Sequence, residues 1–188
     1  MKLRVTPTGL PEVLLMEPTV FRDERGFFME TYNQADFAAA TGLVPNFVQD
    51  NHSRSVHGVL RGLHYQSRQP QGKLVRVLQG CIWDVAVDMR RSSPRLGHWT
   101  AMELDAESAR QVWIPPGFAH GFLVLSGSAD VLYKTTDYRA AGFEHTIAWN
   151  DPQLAIGWPL DRLAGPPRLS QRDAQAPGWR EALLFDGL

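Results

Sequence analysis

The sequence has little cysteine and no long apolar run. Cys81 is the single cysteine among 188 residues, which excludes a disulfide within the chain and a zinc site built on several thiolates. No apolar stretch approaches the length that crosses a bilayer, and Met1–Arg4 do not lead into the apolar core of a signal peptide. We therefore expect a cytoplasmic protein with no membrane association.

A charge excess and the common catalytic motifs are also missing. The 19 Lys and Arg residues nearly balance the 20 Asp and Glu residues, and the formal net charge of −1 gives no general attraction to nucleic acid. The sequence contains no glycine-rich phosphate loop before a helix, no Gly-x-Ser-x-Gly and no His-Glu-x-x-His. No metal, phosphate-loop or nucleophile motif therefore points to a function.

Glycine and proline, by contrast, are plentiful. The 16 Gly and 13 Pro residues divide the chain into many short segments, as an all-β domain requires. The predicted strands or extended segments are Pro11–Val20, Gly26–Thr31, Phe47–Asn51, Lys73–Gln79, Ile82–Asp88, His98–Leu104, Gln111–Ile114, Ala119–Leu125, Val131–Thr135 and Ile147–Trp149. Their length and spacing predict a sandwich or barrel, not alternating strands and helices.

Helix signals are few. Asn33–Thr41 combines an N-cap residue, an alanine-rich middle and Gly42 as a stop. Ser170 and Asp173 have the spacing of a capping box, so a short helix is expected to begin there. The proline-rich stretch Leu160–Arg168 between them is predicted to be a loop.

Polar side chains interrupt several apolar segments. Strict alternation puts His64 and Arg61 on opposite faces of a strand, unless the chain bends at Gly62. A lone His in such a segment is often a hydrogen-bonded structural residue, so a catalytic role stays open. Lys73 begins the strand that places it on the same face as Val75 and Val77. It is either solvated or directed into the mouth of a barrel.

Three further candidates have ordinary and functional interpretations. A Pro-Pro-Gly turn leads into His120 among apolar neighbours, where an imidazole needs hydrogen-bond partners. Tyr133 lies in a predicted strand, where tyrosine is normally a packed amphipathic residue. Asp173 belongs to the capping box, and a capped helix would also fix the direction of its carboxylate. Spacing alone does not decide among these roles.

Taken together, eight segments resemble one known family in order and spacing, from about residue 5 to 175. The segments are Phe21–Glu30, Gln49–Ser53, Leu60–Gln66, Gln71–Val75, Pro115–Phe122, Tyr133–Tyr138, Trp149–Pro152 and Leu169–Asp173. They resemble the dTDP-4-dehydrorhamnose 3,5-epimerase family, the RmlC-like cupins. Eight segments in register are far more specific than any one of them.

The resemblance implies a cupin-type jelly-roll β-barrel or sandwich with a few short helices. It implies one domain over residues 1–188, with a core of about 5–175 and a C-terminal extension of about 176–188. It also implies a homodimer that needs no cofactor and acts on a dTDP-linked 4-keto-6-deoxyhexose. That substrate would be dTDP-4-dehydro-6-deoxy-D-glucose, converted to dTDP-4-dehydro-L-rhamnose.

The same resemblance implies roles for individual residues. His64 would be the base, Asp173 its orienting partner, Tyr133 the acid, and Lys73 the cation at the ketone. The implied substrate-binding residues are Arg25, Phe28, Glu30, Gln49, Asn51, Arg61, Lys73, His120, Tyr138, Glu144 and Arg172. Tyr138 would stack on the thymine, with Arg139 beside it. Asp84 would lie near the site without an assigned role.

Alternatives remain at this point. Metal-binding cupins carry a second His where this chain has Gln66, so His64 and His120 alone make a poor metal site, and no metal is predicted. A metal-dependent cupin enzyme and a non-catalytic sugar-nucleotide-binding cupin are therefore the weaker hypotheses. These motifs barely distinguish a 3,5-epimerase from an epimerase that inverts C3 only or C5 only.

Overall fold

Short strands dominate the computed structural model, which describes residues 3–187. Within that range the strands are β1 Arg4–Pro7, β2 Leu14–Glu17, β3 Phe21–Asp23, β4 Gly26–Phe28, β5 Gln49–Val56, β6 Leu60–Gln66, β7 Lys73–Gln79, β8 Cys81–Asp88, β9 Trp99–Asp105, β10 Gln111–Ile114, β11 Phe118–Val124, β12 Ser128–Thr135 and β13 Glu144–Thr146. The predictions about Met1 and Lys2, and about Leu188 at the end of the expected domain, lie outside the described residues.

The strands form two large antiparallel sheets and one separate hairpin. The order in the first sheet is β1-β2-β10-β7-β12-β5, and in the second it is β13-β6-β11-β8-β9. Strands β3 and β4 pair only with each other. Neighbours in each large sheet are mostly distant in sequence, so the chain passes repeatedly between the sheets. This arrangement confirms the predicted all-β class with a few short helices.

The main core lies between the inner faces of the two large sheets. Val75 and Val131 of the first sheet belong to the same buried cluster as Ile82 and Phe122 of the second. On β8, alternation sends Ile82 and Ala86 into this cluster, while Val85 and Val87 join a second cluster behind the sheet. Lys73 shares the inner face of β7 with Val75, as the sequence predicted. Polar residues at inward positions therefore meet inside the sandwich.

Both predicted helices form, and their caps explain where they begin. Helix α1 spans Gln34–Thr41; the Asn33 side chain accepts hydrogen bonds from two backbone N–H groups, and Gly42 ends the helix at a φ of 74°. Helix α2 spans Gln171–Ala174, and Ser170 accepts a hydrogen bond from the Asp173 N–H. Single 3-10 turns occupy Leu160–Arg162 and Trp179–Glu181. No helix in residues 3–187 is long and apolar enough to span a bilayer.

Three strand predictions need correction. The strand expected at Gly26–Thr31 ends at Phe28, as β4. The segment Pro11–Val20 is only partly extended, because a turn joins the Leu10 carbonyl to the Val13 N–H at 2.9 Å before β2 begins. The strand expected at Ile147–Trp149 instead lies just before it, as β13. Ile147 still exchanges backbone hydrogen bonds with Leu63, but the Ala148 N–H bonds to the Pro177 carbonyl at 2.8 Å. The chain therefore leaves the sheet at Ala148.

Candidate active site

A polar cavity lies between the inner faces of the two sheets, with a volume of about 740 Å³ including its open mouth. This volume suits a small-molecule site. The lining residues are Ser53, Arg61, His64, Tyr65, Gln66, Gln71, Lys73, His120, Gly121, Phe122, Tyr133, Glu144 and Arg172. Seven of the residues implied by the family resemblance are therefore brought together here.

A bulge at Gly62 explains why Arg61 and His64 face the same cavity. Strict alternation would have separated them, and the structure instead contains the bend considered as the exception. The register between β6 and β11 shifts between His120, opposite His64, and Phe122, opposite Arg61. Gly62 has a φ of +118°, and a Cβ there would lie 2.6 Å from the Cα of Gly121. Only glycine fits this position without displacing the neighbouring strand.

His64 is held by a buried carboxylate. Its Nε2 lies 2.6 Å from Oδ1 of Asp173, whose other oxygen accepts a hydrogen bond from the Ser170 hydroxyl at 2.8 Å. Burial alone would raise the pKa of Asp173, but the hydrogen bonds from His64 and Ser170 outweigh it and lower that pKa. An ionised Asp173 fixes the tautomer and orientation of the His64 ring, and it stabilises the imidazolium.

Lys73 enters the cavity from the opposite sheet and is almost fully buried. Burial lowers the pKa of its ammonium from 10.5 to about 8, although the charges of Asp84 and Glu144 act in the other direction. Its Nζ lies 3.4 Å from the His64 carbonyl, which is a weak contact. The ammonium therefore remains available to an oxygen in the cavity.

Tyr133 also comes from the first sheet, where it pairs with Val75 of β7 and Asn51 of β5. His64 comes from the second sheet, so the phenol and the imidazole enter from opposite walls. Burial raises the pKa of the Tyr133 hydroxyl, and the positive charge of Arg61 opposes that rise. The phenol is therefore protonated at neutral pH and can donate a proton.

A second histidine–carboxylate pair lies beside the first. His120 faces His64 across the β6–β11 register, and its Nε2 lies 2.8 Å from Oδ2 of Asp84. Both members of this pair are buried. Asp84 is not among the residues that line the cavity.

The cavity mouth carries an ion-pair network. Arg139 forms two hydrogen bonds with the Glu144 carboxylate, at 3.1 and 2.8 Å. Arg172 lies 3.7 Å from the same carboxylate and donates to the Thr146 hydroxyl at 2.8 Å. A neighbouring depression shares Arg61, His64 and Arg172 with the cavity and adds Arg168. Positive charge is thus concentrated on one side of His64.

The sequence over residues 7–181 matches the family model described as dTDP-4-dehydrorhamnose 3,5-epimerase. The chain belongs to this family. The dTDP-4-dehydrorhamnose 3,5-epimerase of Pseudomonas aeruginosa is 55% identical over 97% of this chain and 99% of its own length. That of Salmonella typhimurium is 52% identical over 97% of this chain and 98% of its own.

Solved structures agree with the sequence comparison. An epimerase of Legionella pneumophila, determined in complex with dTDP-4-keto-L-rhamnose, superposes with a TM-score of 0.90 at 50% identity, over 94% of this chain and 92% of that one. A 3'-monoepimerase of Streptomyces bikiniensis, in complex with dTDP-quinovose, gives a TM-score of 0.84 at 34% identity, over 92% and 86%. These likenesses confirm the fold predicted from the family resemblance.

Several residues implied by the epimerase resemblance do not line the cavity of their own chain. Gln49 and Asn51 lie on β5 on the same side as the lining residue Ser53, and the two amides hydrogen-bond each other at 2.8 Å. Tyr138 is largely exposed just after β12. Glu30 lines a different, small apolar pocket near α1.

Arg25 and Phe28 lie outside the two large sheets that enclose the cavity, on the separate β3–β4 hairpin. A shallow depression there is lined by hairpin residues alone. Arg25 is exposed and pairs with Asp23 of the same turn. Neither side chain contributes to the cavity wall in one copy of this epimerase-family chain.

The sequence interpretation missed several lining residues, of which two could have been found by alternation. Ser53 follows Gln49 and Asn51 at a period of two, and Phe122 follows His120 in the same way. Gln71 had no such signal, because it lies in the irregular segment just before β7. These positions place a hydroxyl, an aromatic ring and an amide around the family's expected catalytic groups.

Gln66, which replaces a metal-ligating His of other cupins, makes structural hydrogen bonds. Its amide donates to the carbonyls of Gln69 and Tyr138 and accepts from the Ala140 N–H, at 2.9, 3.2 and 2.9 Å. It therefore anchors the loop that carries Tyr138. Across residues 3–187, no group of three or more His, Cys, Asp or Glu residues is arranged to hold a metal ion.

Proposed function

We propose that this chain epimerises C3 and C5 of dTDP-4-dehydro-6-deoxy-D-glucose to give dTDP-4-dehydro-L-rhamnose. The observation that carries the proposal is the pairing of His64 with Asp173 on one wall of a cavity whose opposite wall holds Tyr133 and Lys73. Family membership supplies the class of substrate.

The chemistry requires a base beside a carbonyl. Hydrogens at C3 and C5 both neighbour the C4 ketone, so loss of either proton gives an enolate. His64 takes the proton, and Asp173 stabilises the resulting imidazolium. Lys73 offers its ammonium to the charge that develops on the C4 oxygen, in a cavity where that interaction is strong. The substrate's own ketone accepts the electrons, so the reaction needs neither a redox cofactor nor a metal.

Inversion requires a second proton donor on the other side of the ring. Tyr133 enters the cavity from the wall opposite His64. Its protonated phenol donates a proton to the sugar carbon on the ring face opposite the one from which His64 removed the proton. The configuration at that carbon is thereby inverted. The same pair serves C3 and C5 in turn, because both carbons flank the same ketone.

The rest of the substrate supplies binding energy. The planar guanidinium groups of Arg61 and Arg172 can each bind diphosphate oxygens through two parallel hydrogen bonds. Tyr138 offers an exposed ring for the thymine, on the loop that the lining residue Gln66 holds through the Tyr138 carbonyl. Gln49 and Asn51 of β5 would bind the same end of the substrate. Such remote contacts position the sugar ring for proton transfer.

We also propose that the working unit is a homodimer. Phe21, Phe27 and Phe28 of the β3–β4 hairpin are all more than half exposed, at 56%, 62% and 66%. A two-stranded hairpin that pairs with no other strand is only marginally stable in water by itself, so a second copy is expected to cover this one. Arg25 and Phe28 then contact substrate in the partner's cavity, which reconciles their expected role with their position.

Mixing two inactive variants tests the hairpin's role. Arg25→Ala keeps its own His64, and His64→Ala keeps its own hairpin. If hairpins act across the dimer, exchange of subunits between the two variants restores one intact site per heterodimer. No recovery of turnover, with heterodimers verified by mass, would show that the hairpin acts within its own chain. A monomer by sedimentation would contradict the dimer.

Solvent isotope incorporation tests the reaction itself. We expect the chain, incubated with dTDP-4-dehydro-6-deoxy-D-glucose in heavy water, to yield product deuterated at both C3 and C5, read by NMR. Deuterium at one carbon alone would replace this proposal by a single-carbon epimerase. Tight binding of the substrate without any exchange would indicate a non-catalytic binding protein. Loss of turnover on chelation, restored by one metal, would favour a metal-dependent cupin.

The location in the cell, expected to be cytoplasmic, stays a prediction.

A further inference from the structure

Asp84 is a buried carboxylate without a role in the reaction just described. It lies at the centre of β8, between Phe122 of β11 and Met102 of β9, and its exposed fraction is 0%. Alternation on β8 directs it inward with Ile82 and Ala86, toward the first sheet. A carboxylate in this position is costly unless other groups compensate its charge.

Only one of the two oxygens of this carboxylate takes part in a hydrogen bond. Oδ2 lies 2.8 Å from Nε2 of His120, whereas Oδ1 is buried and has no hydrogen-bond donor among residues 3–187. A carboxylate kept only for structure would be expected to have both oxygens satisfied. Oδ1 therefore faces other groups in the sandwich interior without a donor of its own.

The Lys73 ammonium is a charged group in the sandwich interior on which Asp84 acts. Lys73 points inward from the first sheet, and Asp84 points inward from the second. Of the groups that favour the protonated form of Lys73, Asp84 acts more strongly than Glu144. Without these two charges, burial would lower the pKa of Lys73 further than its present value of about 8. The charged and titratable groups around Lys73 are Arg61, His64 and Tyr65 of β6, Asp84 of β8, His120 of β11, Tyr133 of β12, Glu144 of β13 and Arg172 of α2.

We infer that Asp84 is a positioning residue for the carbonyl end of the site: its carboxylate holds the His120 ring with one oxygen and keeps Lys73 charged with its field. This role rests on the proposed epimerisation, in which Lys73 stabilises the enolate oxygen. A neutral amine at that position would lose most of this stabilisation. Asp84 acts through His120 and Lys73 and not on the substrate directly, since it does not line the cavity.

The protonation state of Lys73 can be measured without substrate. The chain has three lysines, Lys2, Lys73 and Lys134, so trace labelling with acetic anhydride at a series of pH values can be assigned to each by peptide mass. Only the neutral amine reacts, and the labelling midpoint therefore reports its pKa. Lys134, which pairs with Asp50 at 3.0 Å, is the internal reference.

Asp84→Asn keeps the shape and removes the charge. We expect the Lys73 midpoint to fall by about 1 pH unit, the effect of losing an opposite charge near a buried cation. The alkaline limb of the kcat/KM profile should move to lower pH by a similar amount, while the Lys134 midpoint stays fixed. Asp84→Ser is the second variant, since it can still hydrogen-bond His120 in a smaller volume.

Asp88→Asn is the matched control. Asp88 lies on the same strand with the same 0% exposure, but it is bound by Arg90 and Ser93 away from the cavity. This variant is expected to lower the melting temperature without moving the Lys73 midpoint. An unchanged Lys73 midpoint in a folded Asp84 variant would overturn the inference, and so would an equal shift in Asp88→Asn. Failure of the epimerase assay alone would refute the proposed reaction and leave the labelling result intact.

Discussion

His64 and Asp173 are 109 positions apart in the chain, yet Nε2 of one lies 2.6 Å from Oδ1 of the other. The contact joins a strand in the second sheet to a four-residue helix whose start is fixed by Ser170. A base that removes a proton from carbon must have its ring correctly oriented before the substrate binds. The hydrogen bond to Asp173 orients the His64 ring in this way.

Asp173→Asn should retain the shape of the pair and lose its charge. Because an amide cannot stabilise the imidazolium, we expect kcat to fall roughly 10²–10⁴-fold, with a much smaller change in KM. Ser170→Ala is the comparison, since it removes the helix cap and the hydroxyl hydrogen bond to Oδ2 but leaves the carboxylate and its contact with His64. It should cost about 1 kcal/mol of stability and keep turnover within tenfold of the parent. Equal losses of turnover in both variants would point to a purely structural role for Asp173.

Tyr133→Phe should separate proton removal from inversion. His64 remains to form the enolate, so deuterium from heavy water is still expected to enter the substrate on the face that His64 serves. Product formation should fall by roughly 10²-fold or more, because no donor remains on the other face. NMR of recovered substrate measures exchange, and product assay measures inversion. His64→Asn should abolish both, and loss of exchange in Tyr133→Phe would contradict the assignment of the two faces.

Lys73→Met is expected to trade activity for stability. The unfolded chain holds this proton up to about pH 10.5 and the folded chain releases it near 8, so the buried ammonium destabilises the fold below pH 8. That penalty disappears as the pH rises from 8 to 10.5. Urea unfolding at pH 7 should show the variant more stable by less than the roughly 3 kcal/mol that the pKa shift alone implies, because Met also removes the charge that faces Asp84, and the difference should shrink toward pH 10.

Lys134→Met provides the comparison, because Lys134 forms a partly exposed pair with Asp50. Its removal should change stability by less than about 1 kcal/mol at either pH. A Lys73→Met variant that is less stable than the parent at pH 7 would show that the ammonium is better compensated in the fold than its burial indicates.

Local patterns predicted most strands and the inward face of β7, because alternation depends only on neighbouring residues. Lys73 was placed beside Val75 and Val77 in this way, and both helices followed from their caps. Contacts between residues that are distant in sequence left no such local pattern. The pairing of His64 with Asp173 was implied by family resemblance, since spacing gave Asp173 only a capping role.

The positions of Arg25 and Phe28 mark another limit. Their segment matches the family pattern, but alternation says nothing about which copy of the chain they reach. Arg61 and His64 show a related limit at shorter range. Their common direction depends on a bulge, and the bulge depends on how closely β11 approaches Gly62.

Gly62→Ala tests that dependence directly. A methyl group there would meet the Gly121 Cα at 2.6 Å and the His120 carbonyl at 2.7 Å, and the φ of +118° strains any L side chain. Since both contacts are backbone, the strands must separate or the bulge must move, which turns His64 away from Asp173. We expect the free energy of unfolding to fall by about 2 kcal/mol or more. We also expect kcat to fall by more than the loss of folded protein alone would explain. Gly127→Ala, with open space around its Cβ position, should change neither by much. If Gly62→Ala unfolds at the same urea concentration as Gly127→Ala, the close approach of the two strands does not hold the bulge in place.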